Sequence, residues 1–150
     1  MEIQSTAFEN GSLIPPEYTC DGQNISPPLS WKSIPTDTKS LALICDDPDA
    51  PVGIWVHWVL FNLAAETTGL PEQVQTVKQL DNGALQGVND FRKIGYGGPC
   101  PPGSTHRYFF KLYALDTLLD LPAGTSKAGL EHAMRGHILE ETQLMGRYSR

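Results

Sequence analysis

The sequence predicts a mainly antiparallel β protein, a two-sheet sandwich or an open barrel-like sheet with helix at its periphery. The run "IWVHWVLFNL" (Ile54 to Leu63) is dominated by β-branched and aromatic residues, and "HRYFFKLYALD" (His106 to Asp116) is the second strong strand. Glycine (14) and proline (12) are spread along all 150 residues, which points to short elements joined by turns. Only one stretch, near the C-terminus, carries good helical periodicity. The length fits a single domain over residues 1–150, and a hydrophobic content of 40% supplies a core.

Taken in order, residues 1–9 predict an edge strand. Residues 10–38 are rich in Pro, Gly, Asn and Ser and predict an ordered loop region with Trp31 tucked inward. "SLALIC" (Ser40 to Cys45) predicts a short buried strand. In Ile54 to Leu63, alternation puts Trp55, His57, Val59 and Phe61 on one face and Ile54, Val56, Trp58 and Leu60 on the other. Both faces are apolar, so this strand is central. "PEQVQ" from Pro71 predicts a helical turn. His106, Tyr108, Phe110 and Leu112 share one face of the last strong strand. Leu130, Met134, Ile138 and Met145 form an apolar stripe that predicts a helix over Lys127 to Met145, with Ser126 as N-cap and Gly146 just past its end. His132 and His137 fall on that helix as surface or packing residues.

A net charge of −6 without any Lys/Arg cluster argues against nucleic acid or an anionic membrane surface as partner, while leaving room for a single anionic headgroup in a local pocket. No apolar run approaches the ~20 residues of a bilayer span. The N-terminus lacks a basic and an apolar signal region, so the expected location is the cytoplasm. The three cysteines then fit reduced thiols. Cys45 reads as a small core residue, whereas Cys20 and Cys100, both in turn-like segments, leave a bridge between them open. Their spacings match no zinc pattern.

Chemistry concentrates in three segments. "DDPDAP" (Asp46 to Pro51) packs three carboxylates behind an apolar strand. It fails as a calcium loop of EF-hand type, because Pro51 stands where glycine is required. Taken alone, it reads as a strand-ending turn with solvated carboxylates. His57 lies in a strand that looks buried and needs a partner, since an unpaired buried imidazole costs on the order of 1–3 kcal/mol. A backbone carbonyl or Asp47 could supply it. "GYGGPCPPGSTHRY" (Gly95 to Tyr108) is a stiff, glycine-rich loop without the Lys-Ser/Thr pair of a phosphate loop. Its free amides could cup an anion, or it could be a plain connector. Asp47, His57 and His106 also invite a metal triad or an acid/base site. A serine hydrolase has no G-x-S-x-G support.

Together, "DPDAP", "WVHW" and "GPCPPG…HRYFFKLYALD", with "YTCDGQNISPPLSW" and "RGHILEETQLMGRYSR", resemble the phosphatidylethanolamine-binding protein family, and within it the bacterial Raf-kinase-inhibitor-like branch. The resemblance covers nearly the whole chain. It implies a β-sandwich with a large antiparallel sheet, a smaller second sheet and a peripheral C-terminal helix. It implies a non-enzymatic protein with a small anion pocket, for a phosphate or phospholipid-headgroup ligand, and with no cofactor or metal. Carried over, Asp47, Pro51, Trp55, His57, His106 and Tyr108 line that pocket, and Cys100 and Pro101 form its rim. Asp47 is expected to orient His57 or His106, while Asp46 and Asp49 stabilise the turn. A homodimer, and a protein partner such as a kinase or protease, are also implied. The three residues "VGI" between Pro51 and Trp55 replace a longer insertion of eukaryotic relatives, so their kinase-binding features are not assumed for this chain.

Overall fold

The computed structural model describes residues 1–150 as two antiparallel sheets and one short helix. Strands β1 (Glu2–Gln4), β2 (Leu29–Lys32) and β5 (Gly69–Leu70) form the smaller sheet in the order β1-β2-β5. Strands β3 (Ser40–Asp47), β4 (Trp55–Ala64), β6 (Leu85–Gln86), β7 (His106–Leu115) and β8 (Ile138–Tyr148) form the larger one, in the order β6-β4-β3-β7-β8. All eight residues of β3 are buried, as its continuous apolar sequence and central place require.

Two apolar layers hold the molecule together. Between the sheets, Ile3, Leu29 and Trp31 pack against Leu41, Leu43, Trp58, Leu60, Phe110 and Leu112. Trp31 is buried as expected, its indole N–H donating to the Thr67 carbonyl at 2.6 Å. On the outer face of the large sheet, helix α1 (Lys127–Met134) covers Ile44, Val59, Phe61 and Leu115 with Leu130 and Met134.

The helix is the main departure from the sequence prediction. Ser126 caps it, its hydroxyl accepting from the Gly129 amide at 3.1 Å. It ends at Met134 rather than Met145. Gly136 adopts φ +79°, reversing the chain, and residues 138–148 become β8. There Leu144, Gly146 and Tyr148 alternate inward, so Gly146 packs under Ile14 and Phe8 instead of ending a helix. His137 leaves the helix and pairs with Asp116 at 2.8 Å. The turn predicted at "PEQVQ" does not form a helix, and Gln73 sits at φ +61°, outside the helical region.

The face assignment of β4 also changes. The register with β3 slips between Cys45, opposite Trp58, and Asp46, opposite Val56. The bulge leaves His57 without a paired partner on β3 and shifts the phase of the alternation. Val56 therefore joins Val59 and Phe61 beneath the helix, while Trp58 and Leu60 join the inter-sheet core. His57 turns to the same side as Tyr108, with ring centroids 5.1 Å apart.

Candidate functional site

Antiparallel pairing brings three sequence-distant segments to one edge of the large sheet. The end of β3 carries Asp47, the start of β4 carries Trp55 and His57, and the start of β7 carries His106 and Tyr108. Because β3 runs between β4 and β7 in the opposite direction, its end lies beside both starts. A cavity of about 220 Å³ opens there. It is lined by Asp47, Pro51, Trp55, His57, Cys100, Pro101, His106 and Tyr108, together with Ala50, Val52, Phe91 and Pro102. A wider groove of about 740 Å³, flanked by Asn24 and Tyr96, has no charged side chain in its lining.

The three carboxylates of "DDPDAP" separate completely. Asp46 and Asp47 are only 1% and 3% exposed, so the solvated-turn description fails for both. Asp46 faces the helix side of the sheet, where Lys127 and Lys111 reach it at 2.8 and 3.1 Å. It therefore ties α1 and β7 to β3 rather than stabilising the turn. Asp49 does stabilise the turn: Arg107 Nε and Nη2 donate to its two oxygens at 2.9 and 2.8 Å. That guanidinium holds the Asp49 carboxyl below its ordinary range. Asp47 alone faces the cavity. Its Oδ1 accepts from the Asp49 amide at 2.7 Å, and its Oδ2 lies 2.6 Å from His106 Nδ1.

His57 takes a different partner. Its Nδ1 donates to the Gly97 carbonyl at 2.5 Å, and the Gly97 amide donates back to the His57 carbonyl at 2.9 Å. Burial holds this imidazole below the usual histidine range, with the Gly97 bond and the Asp47 carboxylate pulling the other way. Neither His57 nor His106 makes a protein hydrogen bond through Nε2. Thr38 Oγ1 is the sole fully occluded side-chain polar atom without a partner, so both Nε2 atoms open onto accessible space. Tyr108 stacks on His106 at 6.5 Å, and its phenol is pushed far up by burial and then by Asp47.

The rim is built from residues whose role is structural. Cys20 and Cys100 form a disulfide with Cα atoms 5.4 Å apart, which corrects the expectation of reduced thiols; Cys45 alone is free, and buried. The bridge fixes the "PCPP" rim to the segment after Tyr18. Across the mouth, the Phe91 ring meets His57 edge-on at 5.4 Å and Trp55 at 5.5 Å. Asn89 holds that loop by accepting from the Phe91 and Lys93 amides at 2.9 and 3.2 Å and donating to the Gly95 carbonyl. A Cβ on Gly97 would stand 2.6 Å from the Phe91 ring, so any side chain there displaces that ring. Phe91, Val52 and Pro102 escaped sequence reasoning. Phe91 sits in "VNDFRK", which has neither periodicity nor motif, and the only hint was an asparagine able to close a local turn.

Asp47, His57 and His106 do not form a metal triad. No group of three His, Cys, Asp or Glu side chains converges as an ion would require, because Asp47 is directed to His106 and His57 to a carbonyl. No helix is long and apolar enough to cross a membrane.

Residues 4–149 match the family model described as phosphatidylethanolamine-binding protein. A UPF0098 protein of Methanothermobacter thermautotrophicus is 55% identical over 150 residues, covering 100% of this chain and 99% of the relative. One from Aquifex aeolicus is 47% identical over 153 residues, covering 100% and 89%. Among solved structures, a phosphatidylethanolamine-binding protein homologue from Chlamydia trachomatis superposes with a TM-score of 0.92 at 43% identity, over 99% of this chain and 97% of that one. Escherichia coli YbcL, described as a member of the mammalian family, gives 0.92 at 32% identity, over 99% and 98%. The fold, the order of its motifs and these comparisons agree: the chain belongs to the phosphatidylethanolamine-binding protein family.

Proposed function

We propose that this chain is a non-enzymatic binding protein whose cavity holds a small anion of phosphate or phospholipid-headgroup type. One observation carries the reading. Two buried imidazoles have Nδ1 fixed by an acceptor and Nε2 unpartnered in a cavity with largely apolar walls. Buried polar groups without protein partners mark places where a ligand or water completes the bonding. The apolar walls, formed by Pro51, Trp55, Phe91 and Pro101, lower the local polarity and strengthen any charge-assisted bond made inside. The name of the family, which refers to a lipid whose headgroup contains a phosphate, supports the same class of ligand. The test is calorimetric titration with inorganic phosphate and phosphoethanolamine. Saturable binding, lost in His106→Ala, supports the reading, and no heat above dilution refutes it.

An acid/base enzyme is the second reading, favoured by the Asp47–His106 pair, since a carboxylate behind an imidazole orients a general base. Turnover of phosphate esters that disappears in His106→Asn would support it. A homodimer and a protein partner such as a kinase or protease complete the proposal, and a cytoplasmic location remains only the expectation drawn from the sequence. The Cys20–Cys100 bridge stands against a reducing compartment, so fractionation of the native host is the test of location.

A further inference from the structure

One wall of the cavity hangs on a bond that a thiol can break. As far as Pro99 the rim loop is tied down by hydrogen bonds. The Tyr96 hydroxyl donates to the Tyr18 carbonyl at 2.7 Å, the Gly98 amide to Asn24 Oδ1 at 2.8 Å, and the Cys20 amide to the Pro99 carbonyl at 3.1 Å. The next anchored residue is His106, where β7 begins. Between these points, residues 101–105 make no hydrogen bond to the rest of the chain. Pro101 and Pro102 have no amide to give. Cys100, Pro101 and Pro102 all line the cavity, yet only Pro101 is buried. The Cys20–Cys100 bridge is therefore the one strong tether of this wall.

The bridge is also placed for exchange. Cys100 is exposed and Cys20 half-buried, whereas the free Cys45 is enclosed. The two bridged sulfurs differ in their charged neighbours. Arg150 Nη1 lies 3.7 Å from Cys100 Sγ, and its Nη2 lies 3.2 Å from Asp21 Oδ1. Asp21 follows Cys20 directly in the chain. A thiolate at Cys100 thus forms beside a cation, and one at Cys20 beside a carboxylate. Exchange expels the sulfur that carries the charge better, so attack falls on Cys20 and Cys100 leaves.

We propose that the Cys20–Cys100 bridge is a redox latch on the cavity mouth, opened by a dithiol that attacks Cys20 Sγ and expels Cys100 as a thiolate held by Arg150. The first sulfur of the dithiol bonds to Cys20 as the Cys20–Cys100 bond breaks. Its second sulfur then attacks that mixed disulfide and releases Cys20. Two electrons pass to the chain, and the dithiol departs as a disulfide. The attacking thiols give their protons to solvent, from which Cys20 takes one. Residues 100–105 come free and their wall swings off the mouth. Asp47, His57 and His106 stay in place, held by their own strands and hydrogen bonds. A disulfide of the same class, acting as oxidant, closes the latch again. The effect on a bound anion rests on the anion-pocket reading above; the latch itself does not.

The test treats the folded full chain with glutathione, traps free thiols by rapid alkylation and maps the products by mass spectrometry. Glutathione should sit on Cys20 and the alkyl group on Cys100, with a preference of at least about threefold. Arg150→Gln should slow the reaction by at least about threefold without lowering the melting temperature, and Arg150→Lys should restore it. After full reduction with dithiothreitol, nitrogen-15 order parameters of Cys100 and Gly103 should fall below about 0.6, while those of β7 stay near about 0.85. A bridge that yields only in denaturant, an adduct mainly on Cys100, or unchanged order parameters after reduction overturns the latch. Phosphorus-31 line shapes of inorganic phosphate read the consequence, a dissociation at least about threefold faster from the reduced chain. Equal dissociation from both forms overturns the gating of the mouth. Absence of phosphate binding in both forms overturns the anion-pocket reading instead, and the latch is then decided by the alkylation map and the order parameters.

Discussion

Asp47 Oδ2 lies 2.6 Å from His106 Nδ1, with both side chains 4% exposed, and the contact joins the end of one strand to the start of its neighbour. The adjacent Asp46, one residue earlier, points to the opposite face of the sheet and binds Lys111 and Lys127. Two consecutive carboxylates thus do different work, and substitution separates them. Asp47→Asn is expected to weaken anion binding by at least about tenfold, because the carboxylate that fixes His106 Nδ1 and orients its ring is lost. Asp46→Asn should cost about 1–3 kcal/mol of stability and leave binding in place. Paired calorimetric titrations and denaturant melts check both.

The Phe91 wall depends on a missing Cβ. Gly97→Ala would place a methyl 2.6 Å from the Phe91 ring and disturb a residue that exchanges two hydrogen bonds with His57. A stability loss of about 1–3 kcal/mol is expected, with weaker anion binding. Gly103→Ala, with nothing within 4 Å of the new methyl, serves as the control and should change neither.

The rim disulfide closes a loop across a sequence separation of 80 residues. Removing it through Cys20→Ser should cost about 2–4 kcal/mol by chain entropy, a fall on the order of 10 °C in melting temperature. Because Cys100 lines the cavity, anion affinity should fall as well. Thermal melts and titrations with and without reductant read both effects. An unchanged melting temperature in Cys20→Ser would contradict the structural role.

Burial gives His57 a lower pKa in the folded chain than in the unfolded one. Well above about pH 6.5 the ring is neutral in both states and does not alter stability. As pH falls through that value, the unfolded chain takes a proton that the folded chain resists, so stability declines down to the folded-state pKa. The slope approaches about 1.4 kcal/mol per pH unit. Melting temperatures between pH 7 and 5 should therefore fall more steeply in the native chain than in His57→Phe.

The strong strands were legible because their residues have one good use. The β-branched and aromatic run Trp55–Ala64 and the aromatic-rich run His106–Leu115 fit a pleated, buried surface. The long helix was misread because Leu130, Met134, Ile138 and Met145 happen to fall at helical spacing. Leu130 and Met134 are buried on α1, whereas Ile138 is 41% exposed and Met145 lies in β8. A competing period of two, in Leu144, Gly146 and Tyr148, was present but weakened by the glycine. The bulge at His57 left no mark in sequence, since it arises from the register with β3.

The site was legible at its polar centre and hidden at its wall. Asp47, His57 and His106 announce themselves as polar groups in buried strands. Phe91 reaches the cavity only through a loop folded by Asn89 and Asp90, and no local pattern encodes that approach.

The claim that His57 and His106 jointly receive the anion is tested most directly by nitrogen-15 NMR of the imidazole rings during titration with inorganic phosphate. His57 and His106 should shift together along one binding curve, while the exposed His132 and His137 stay in place. Titration to saturating phosphate without a response from either cavity histidine would contradict the account.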